Sequence, residues 1–215
     1  MNGTPAPERP QSPGEEIANS ISHGVGLLAA LVATPILLHA ARQGNRLDFA
    51  GAAVFSATLV LLYLASTLYH ALPRSGAKRT FRALDHSAVF LLIAGTYTPF
   101  AFSVLHGPFG WTLLAVEWVL ALAGITLTVV EGERFERLST PVYVVMGWLI
   151  VFAIRPLARE LPLPGVLLLV AGGLAYSAGV GFLTARRVRY SHFVWHLFVL
   201  VGSACHWVAI LRYAA

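Results

Sequence analysis

Apolar residues fill most of the chain in seven runs, and each run is long enough to cross a membrane as a helix. A helix needs about 20 consecutive apolar residues to span the hydrocarbon core of a bilayer. The connections between the runs are short, so the sequence predicts an all-α integral membrane protein with one seven-helix domain over residues 16–215. The predicted spans are approximately residues 19–41, 49–71, 83–104, 110–130, 139–158, 163–184 and 192–213.

The residues that precede the first span are polar and rich in proline, glycine and acidic side chains. Such a composition favours disorder, because it offers too little apolar surface to bury. We therefore expect a short disordered tail over residues 1–15. The segment has no basic stretch followed by a short apolar run, so a cleaved signal peptide is not expected.

The composition agrees with a membrane protein. Hydrophobic residues make up 57% of the chain and charged residues 12%, whereas soluble domains carry about 25% charged residues. The net charge of +5 does not indicate nucleic-acid binding, because the basic residues lie in short loops beside the spans. A single cysteine, Cys205, excludes an intramolecular disulfide.

The basic residues also predict an orientation. Ten of the fifteen lie on the side that holds the N-terminus, so the positive-inside rule places the N-terminus in the cytoplasm and the C-terminus outside. Rhodopsin-type receptors have the opposite orientation, which disfavours a G-protein-coupled receptor. The ten residues are Arg9, Arg74, Lys78, Arg79, Arg82, Arg134, Arg137, Arg186, Arg187 and Arg189.

Polar side chains of four spans collect at the predicted cytoplasmic level. Ionisable residues within spans are candidates for function, because burying them unpaired is costly. Residues spaced by three, four or seven positions share one face of a helix, and the polar residues of the first, second and last spans have this spacing. The predicted cluster consists of Glu16, Asn19, His23, Ser66, His70, Asp85, His192 and His196.

The histidines of this cluster predict a metal site. His192 and His196 are four residues apart, which suits snorkelling or core packing as well as ligation, and His70 can supply a third imidazole. Three histidines suit Zn²⁺ and leave a fourth position for water, whose pKa zinc lowers towards 7. Asp85 would orient that water or accept its proton. Ser66 would hydrogen-bond an intermediate or a ligand histidine, or serve only as a packing hydroxyl.

Other polar residues are not expected to join the cluster. His39 and His106 fall on the outer side, and His206 lies deep in the last span as a polar packing residue. Glu117, in the outer half of the fourth span, is either a hydrogen-bonded structural acid or a proton-handling group. In the sixth span, the small residues Gly173, Ser177 and Gly181 predict close approach of a neighbouring helix.

At these positions the chain resembles the hemolysin III family, which is grouped with the progestin and adipoQ receptors and, more distantly, with alkaline ceramidases. Three motifs match in order along the chain. They are Glu-x-x-Asn-x-x-x-His at Glu16, Asn19 and His23, Ser-x-x-x-His at Ser66 and His70 followed by Asp85, and His-x-x-x-His at His192 and His196.

The resemblance implies a seven-helix bundle of a bacterial inner membrane in which His70, His192 and His196 hold zinc and Asp85 lies near the zinc-bound water. Glu16, Asn19 and His23 would support the site, and His23 is an alternative fourth ligand. The more distant resemblance to alkaline ceramidases implies that the substrate is a membrane lipid with an amide or ester bond. The short tail and loops offer no domain for a hormone, so a receptor role does not carry over.

Three functions remain open from the sequence. The first is a zinc-dependent membrane hydrolase of lipids, and the second is a non-enzymatic sensor or regulator in which zinc is structural. The third, an ion or proton transporter, is disfavoured because the polar cluster is confined to one end of the spans. The family name reflects cytolytic activity attributed to some members, but no residues here resemble a pore-forming toxin.

Overall fold

The computed structural model of the chain describes residues 9–185 and 187–215, without the side chains of Glu133, Glu136 and Arg137. Residues 1–8 of the predicted tail and Arg186 of the basic set therefore lie outside the described residues. Helices are the regular elements of the described part. They are α1 (Pro13–Ala41), α2 (Arg46–Ala71), α3 (Gly76–Ser103), α4 (Pro108–Glu131), α5 (Glu133–Trp148), a 3₁₀ helix (Leu149–Ala153), α6 (Ile154–Glu160), α7 (Leu163–Thr184) and α8 (Ser191–Tyr213).

The long helices form a ring in chain order. Helix α2 packs against α1 and α3, α3 against α4, and α4 against α5. Helix α5 contacts α7, α7 packs along α8, and α8 returns to α1, which closes the ring. The start of α1, the α2–α3 connection and the α7–α8 connection therefore meet at one end of the bundle, here called the N-terminal end.

Six helical segments of the described part are long and apolar enough to cross a membrane. Helix α3 is as long but carries more polar residues. It contacts α2, α4, α5 and α8, so it is the most interior helix of the ring. An all-α, multi-pass membrane protein is thereby confirmed. The six segments are α1, α2, α4, residues Leu138–Glu160, α7 and α8.

Helix α1 begins at Pro13, earlier than the predicted residue 19, so the predicted disordered tail is wrong for its last residues. Ser12 caps the helix, because its Oγ accepts a hydrogen bond from the Glu15 backbone N–H while the Glu15 carboxylate accepts one from the Ser12 N–H. Arg9 also donates to the Glu15 carboxylate, which is buried. A capping box of this kind satisfies backbone donors that would otherwise stay free at a helix start.

The predicted fifth span is not one continuous α-helix. Pro156 has no N–H to donate to the carbonyl four residues earlier, and the 3₁₀ helix contains that position. Tyr97 of α3 stabilises the break, because its hydroxyl shares its one proton between the carbonyls of Met146 and Gly147 and accepts from the Ile150 N–H at 2.8 Å.

Close approach of α7 to its neighbour occurs at glycines other than those predicted. A Cβ added at Gly172 or Gly179 would meet side chains of α8, whereas one added at Gly173 or Gly181 would meet nothing within 4 Å. Ser177 uses its hydroxyl to accept a hydrogen bond from Trp148 at 2.9 Å. The predicted small-residue strip therefore does not form the α7–α8 contact.

Candidate metal centre

Three histidines from two helices converge at the N-terminal end of the bundle. His70 lies in the last turn of α2, and His192 and His196 lie in the first two turns of α8. Each offers a ligand atom, and these atoms lie within 4.8 Å of one another. The three residues can therefore hold one metal ion together, as their spacing in the sequence predicted.

The start of α8 is fixed by a contact with α1. Tyr190 precedes α8 in the left-handed conformation, with φ of 58°. Its backbone N–H donates to Oε1 of Glu15 at 2.9 Å. Because Glu15 is also held by Arg9 and Ser12, this bond fixes the start of α8 against the start of α1. The two histidines follow in the first two turns of α8.

The two ring nitrogens of His70 have different environments. Nδ1 lies 2.8 Å from Oε2 of Glu16, whose Oε1 accepts from Nζ of Lys78 at 3.1 Å. Nε2 is buried and has no hydrogen-bond partner. A carboxylate bound to one imidazole nitrogen commonly orients a histidine whose other nitrogen binds a metal. The unpartnered Nε2 is thus the ligand atom that this arrangement leaves available.

His196 is held in a similar way by α1. Its Nδ1 lies 3.2 Å from the carbonyl oxygen of Asn19 and 3.0 Å from Oγ of Ser22. A carbonyl oxygen can only accept, so this contact assigns the ring proton to Nδ1. The lone pair of the neutral imidazole is then on Nε2, where it can bind a cation.

His23 lies beside the three histidines rather than among them. Its ring stacks on that of His196, with centroids 3.5 Å apart and planes 6° from parallel. Nδ1 is 2.7 Å from Oγ of Ser66, and Nε2 is buried without a hydrogen-bond partner. His23 therefore packs against one candidate ligand and fixes the hydroxyl of Ser66.

Asp85 enters the site from α3. Its side chain is buried and lines the same cavity as Ser66, His192 and His196. Helix α3 thus brings a carboxylate to a site whose histidines come from α2 and α8. Of the other predicted cluster residues, Glu16, Asn19 and His23 contact histidines of the group. Ser66 contacts His23, and Asp85 lines the same cavity as His192 and His196.

Two polar residues that were not predicted to join the cluster, Glu117 and His206, lie apart from it. Glu117 is fully buried in α4, and neither of its carboxylate oxygens has a hydrogen-bond partner, so the alternative of a hydrogen-bonded acid is not borne out. His206 lies ten residues beyond His196 in α8, where its Nε2 is 3.3 Å from the carbonyl oxygen of Leu169 in α7.

A cavity of about 160 Å³ extends from the histidines into the bundle. It begins beside His23, Ser66 and Asp85, and its far end includes His206. Aliphatic residues cover most of the wall between these ends. They include Leu62, Val89, Leu92, Ile93, Val144, Val180, Leu183 and Val199.

Sequence reasoning missed three residues that support the site. Glu15 could have been found from the capping-box spacing of Ser12 and Glu15, but its bond to Tyr190 joins distant parts of the chain. Ser22 and Lys78 touch the histidine network only through contacts between helices. Their sequence positions carry no signal for those contacts.

The fold and the histidine cluster together define a multi-pass membrane protein with a candidate metal site at one end of its helical bundle. The sequence model described as "Haemolysin-III related" matches residues 12–207. The chain therefore belongs to the haemolysin III family.

Similar proteins occur in bacteria and in animals. The chain is 46% identical to Hemolysin-3 of Bacillus cereus over 93% of its own length and 91% of the relative's. It is 44% identical to a Hemolysin-3 homolog of Bacillus subtilis (strain 168), over 93% and 94% of the two chains. It is 25% identical to the human monocyte to macrophage differentiation factor, over 93% and 84%. The bacterial relatives fit a multi-pass protein of a bacterial inner membrane.

Proposed function

We propose that this protein is a zinc-dependent membrane hydrolase that cleaves an amide or ester bond of a lipid. The observation that carries the proposal is the arrangement of His70, whose Nδ1 is held by Glu16 and whose buried Nε2 has no partner. This nitrogen belongs to a group of three histidines, of which His192 and His196 line an apolar cavity inside the bundle.

The donor set suits zinc. Imidazole nitrogens bind Zn²⁺ readily, and a site with three protein ligands leaves a position open, as in catalytic rather than structural zinc sites. His70, His192 and His196 would hold the ion. When bound, zinc would supply Lewis acidity and lower the pKa of bound water towards neutrality.

The residues around the histidines would have different roles in the reaction. The carboxylate of Asp85, which is buried and lines the cavity, would accept a proton from the attacking water. The hydroxyl of Ser66, fixed by Nδ1 of His23 at 2.7 Å, would donate a hydrogen bond to the oxygen on which charge develops. Glu16 and the Asn19 carbonyl would keep His70 and His196 in ligating orientation.

The cavity favours a lipid substrate. Its wall is mostly aliphatic, and one end holds the polar groups that would act on the scissile bond. Sites for small molecules are usually apolar clefts with a few convergent polar groups. An acyl chain would occupy the aliphatic part, which places the first polar bond of the lipid beside Asp85 and the histidines.

A second candidate is a regulator in which a metal ion joins helices instead of catalysing a reaction. Helices α2 and α8 share little packing surface within the described part of the chain, yet the histidine group contains members of both. A bound ion would therefore tie together two helices that are otherwise linked through α1 and α3. This role predicts loss of stability without loss of any turnover when the ion is removed.

The test is hydrolysis by zinc-loaded protein in lipid nanodiscs, with a panel of fluorescent lipid amides and esters. The wild type is expected to cleave at least one of them faster than His192→Ala, which serves as background. Zinc content is measured in parallel for both proteins. If the fully zinc-loaded wild type never exceeds background for any amide or ester, the hydrolase proposal is rejected in favour of the regulator.

A further inference from the structure

Four exposed arginines lie at the end of the bundle that carries the histidine group. Arg74 belongs to the α2–α3 connection, Arg79 to the first turn of α3, and Arg187 and Arg189 to the α7–α8 connection. Within the described part of the chain, none of the four forms an ion pair with an acidic side chain. Their charges are therefore available to a partner outside the chain. These four residues are here called the basic surface.

The two acidic residues in the first turn of α1 already have basic partners. The carboxylate of Glu15 accepts hydrogen bonds from Arg9, and Oε1 of Glu16 lies 3.1 Å from Nζ of Lys78. Each of these acids thus has one basic residue to balance it. The four arginines remain as an excess of positive charge at this end of the bundle.

The same two acids bring both groups of arginines to the start of α1. Oε1 of Glu15 accepts a hydrogen bond, at 2.9 Å, from the backbone N–H of the residue that follows Arg189. Oε1 of Glu16 lies 3.1 Å from the ammonium nitrogen of the residue that precedes Arg79. Since Glu15 and Glu16 are consecutive, Arg79 and Arg189 both lie beside the first turn of α1.

The segment that joins α4 to α5 does not share this excess of positive charge. Residues 131–137 contain three glutamates and two arginines. Helix α4 packs chiefly against α3 and α5, whereas α1 packs against α2 and α8. The excess of positive charge therefore lies on the α1 side of the bundle.

Apolar and aromatic side chains alternate with the arginines of the α7–α8 connection. Residues 187–190 have the sequence Arg-Val-Arg-Tyr, in which Val188 is 58% exposed and Tyr190 is 44% exposed. This pattern suits the surface of a membrane, where apolar and aromatic side chains contact the acyl boundary while arginines reach the headgroups. A soluble anion would gain nothing from the exposed valine, so the pattern favours a lipid as the partner.

We propose that the basic surface binds the phosphate groups of anionic lipids in the leaflet at this end of the bundle. Arginine suits this ligand because its planar guanidinium presents several donors to phosphate oxygens. The positive-inside rule places this end at the cytoplasmic leaflet, where anionic lipids attract basic segments beside membrane spans. The inference goes beyond the proposed hydrolase and does not depend on it, because the basic surface neither belongs to the histidine group nor lines the cavity.

The experiment measures which lipids the protein retains from mixed micelles. Protein purified in a neutral detergent is incubated with equal mole fractions of phosphatidylglycerol and phosphatidylcholine that have the same acyl chains, and bound lipids are counted by native mass spectrometry. The wild type should retain more phosphatidylglycerol than phosphatidylcholine. This preference should weaken as salt is added, because salt screens charges at an exposed surface.

The first variant removes the two arginines beside α1. Arg79→Gln/Arg189→Gln should lower the ratio of bound phosphatidylglycerol to phosphatidylcholine by about fivefold or more, since one basic residue near an anionic membrane contributes about this factor. The matched control is Arg155→Gln/Arg159→Gln, which removes two exposed arginines of α6 at the opposite end of the bundle. The control should keep the ratio of the wild type.

A second variant makes the test independent of any one position. Arg74→Gln/Arg187→Gln removes the other half of the basic surface and should also lower the ratio by about fivefold or more. Inorganic phosphate, added at the concentration of the lipids, should not displace phosphatidylglycerol from the wild type. Thermal unfolding of each variant shows whether it is folded.

The outcomes separate this inference from the hydrolase proposal. A ratio that falls in both variants and not in the control supports the basic surface, even if no lipid is hydrolysed. A ratio that is unchanged in both folded variants, or that falls equally in the control, overturns the inference, even if the wild type hydrolyses lipids. Displacement of phosphatidylglycerol by inorganic phosphate would also overturn it, because the surface would then bind a soluble anion.

Discussion

At the scale of single residues, the two ring nitrogens of His70, and likewise those of His196, have different partners. Nδ1 of His70 is committed to Glu16, and Nδ1 of His196 to the Asn19 carbonyl, which leaves Nε2 of each ring for a metal. Helix α1 supplies both of these partners. Its polar residues thus act on the site by orienting histidines of α2 and α8.

We expect Glu16→Gln to weaken zinc binding by about 10- to 100-fold, the usual effect of removing a partner that orients a ligand histidine. The amide keeps the shape of the side chain but loses the carboxylate charge that faces Nδ1 of His70. Affinity is measured by competition with a chromophoric chelator. Glu160→Gln, at an exposed acid at the end of α6, is the control. Equal zinc affinity in Glu16→Gln and wild type would contradict the role of Glu16.

Asp85→Asn should retain zinc and lose turnover by about 10²- to 10⁴-fold, the contribution expected of a general base. The asparagine amide keeps hydrogen-bonding capacity but cannot accept a proton at neutral pH. Zinc content and the hydrolysis rate are measured on the same preparation. Loss of the metal in Asp85→Asn would instead make Asp85 a ligand.

The proximity of His70, His192 and His196 could be predicted because periodicity places residues on one face of a helix, and the ends of the predicted spans place them at one level of the bundle. Glu16, Asn19 and His23 share a face at any helix start, and the i, i+4 pair of α8 does the same. Neither the bond from Tyr190 to Glu15 nor the stacking of His23 on His196 has a local signal. Such contacts depend on how the helices pack against one another, and a single sequence does not predict that packing.

At the scale of elements, α5 differs most from its prediction. Hydropathy does not distinguish an α-helix from a 3₁₀ helix, so the break at Leu149–Ala153 was not predicted. Pro156 predicts an interruption of the helix, but it does not predict which of the preceding residues form the 3₁₀ helix. The three hydrogen bonds of Tyr97 fix that place, and they come from another helix.

Tyr97→Phe should therefore destabilise the protein by about 1–3 kcal/mol, because it leaves buried backbone groups of the break without their partner. The change keeps the ring and its packing. Unfolding is followed by temperature or denaturant in detergent, with Tyr213→Phe at the end of α8 as the control. A Tyr97→Phe variant as stable as the wild type would show that the break does not depend on this hydroxyl.

At the scale of the whole molecule, charge and fold agree on which end of the bundle carries the site. The α2–α3 and α7–α8 connections hold four of the ten basic residues assigned to the cytoplasm, and the first two turns of α3 hold three more. The histidine group lies at this end of the bundle. The positive-inside rule therefore predicts that the candidate metal centre faces the cytoplasm. A substrate would reach it from the inner leaflet.

A reporter fused after Ala215 should lie outside the cytoplasm, and one fused to the N-terminus should lie inside. A pair of reporters, one active only in the cytoplasm and one only beyond the membrane, gives the measurement. Each fusion is a control for the other, because an odd number of spans requires the two ends to lie on opposite sides of the membrane. A C-terminal reporter that is active in the cytoplasm would rule out the seven-span arrangement.

The central claim is that His70, His192 and His196 bind one zinc ion, and elemental analysis of the purified protein tests it most directly. The wild type, purified in detergent without added metal, should contain about one zinc per chain, as expected for a three-histidine site. His192→Ala and His196→Ala should lose it, while His39→Ala, at the other end of α1, should retain it. Full zinc occupancy in the His192→Ala/His196→Ala double variant would contradict the account.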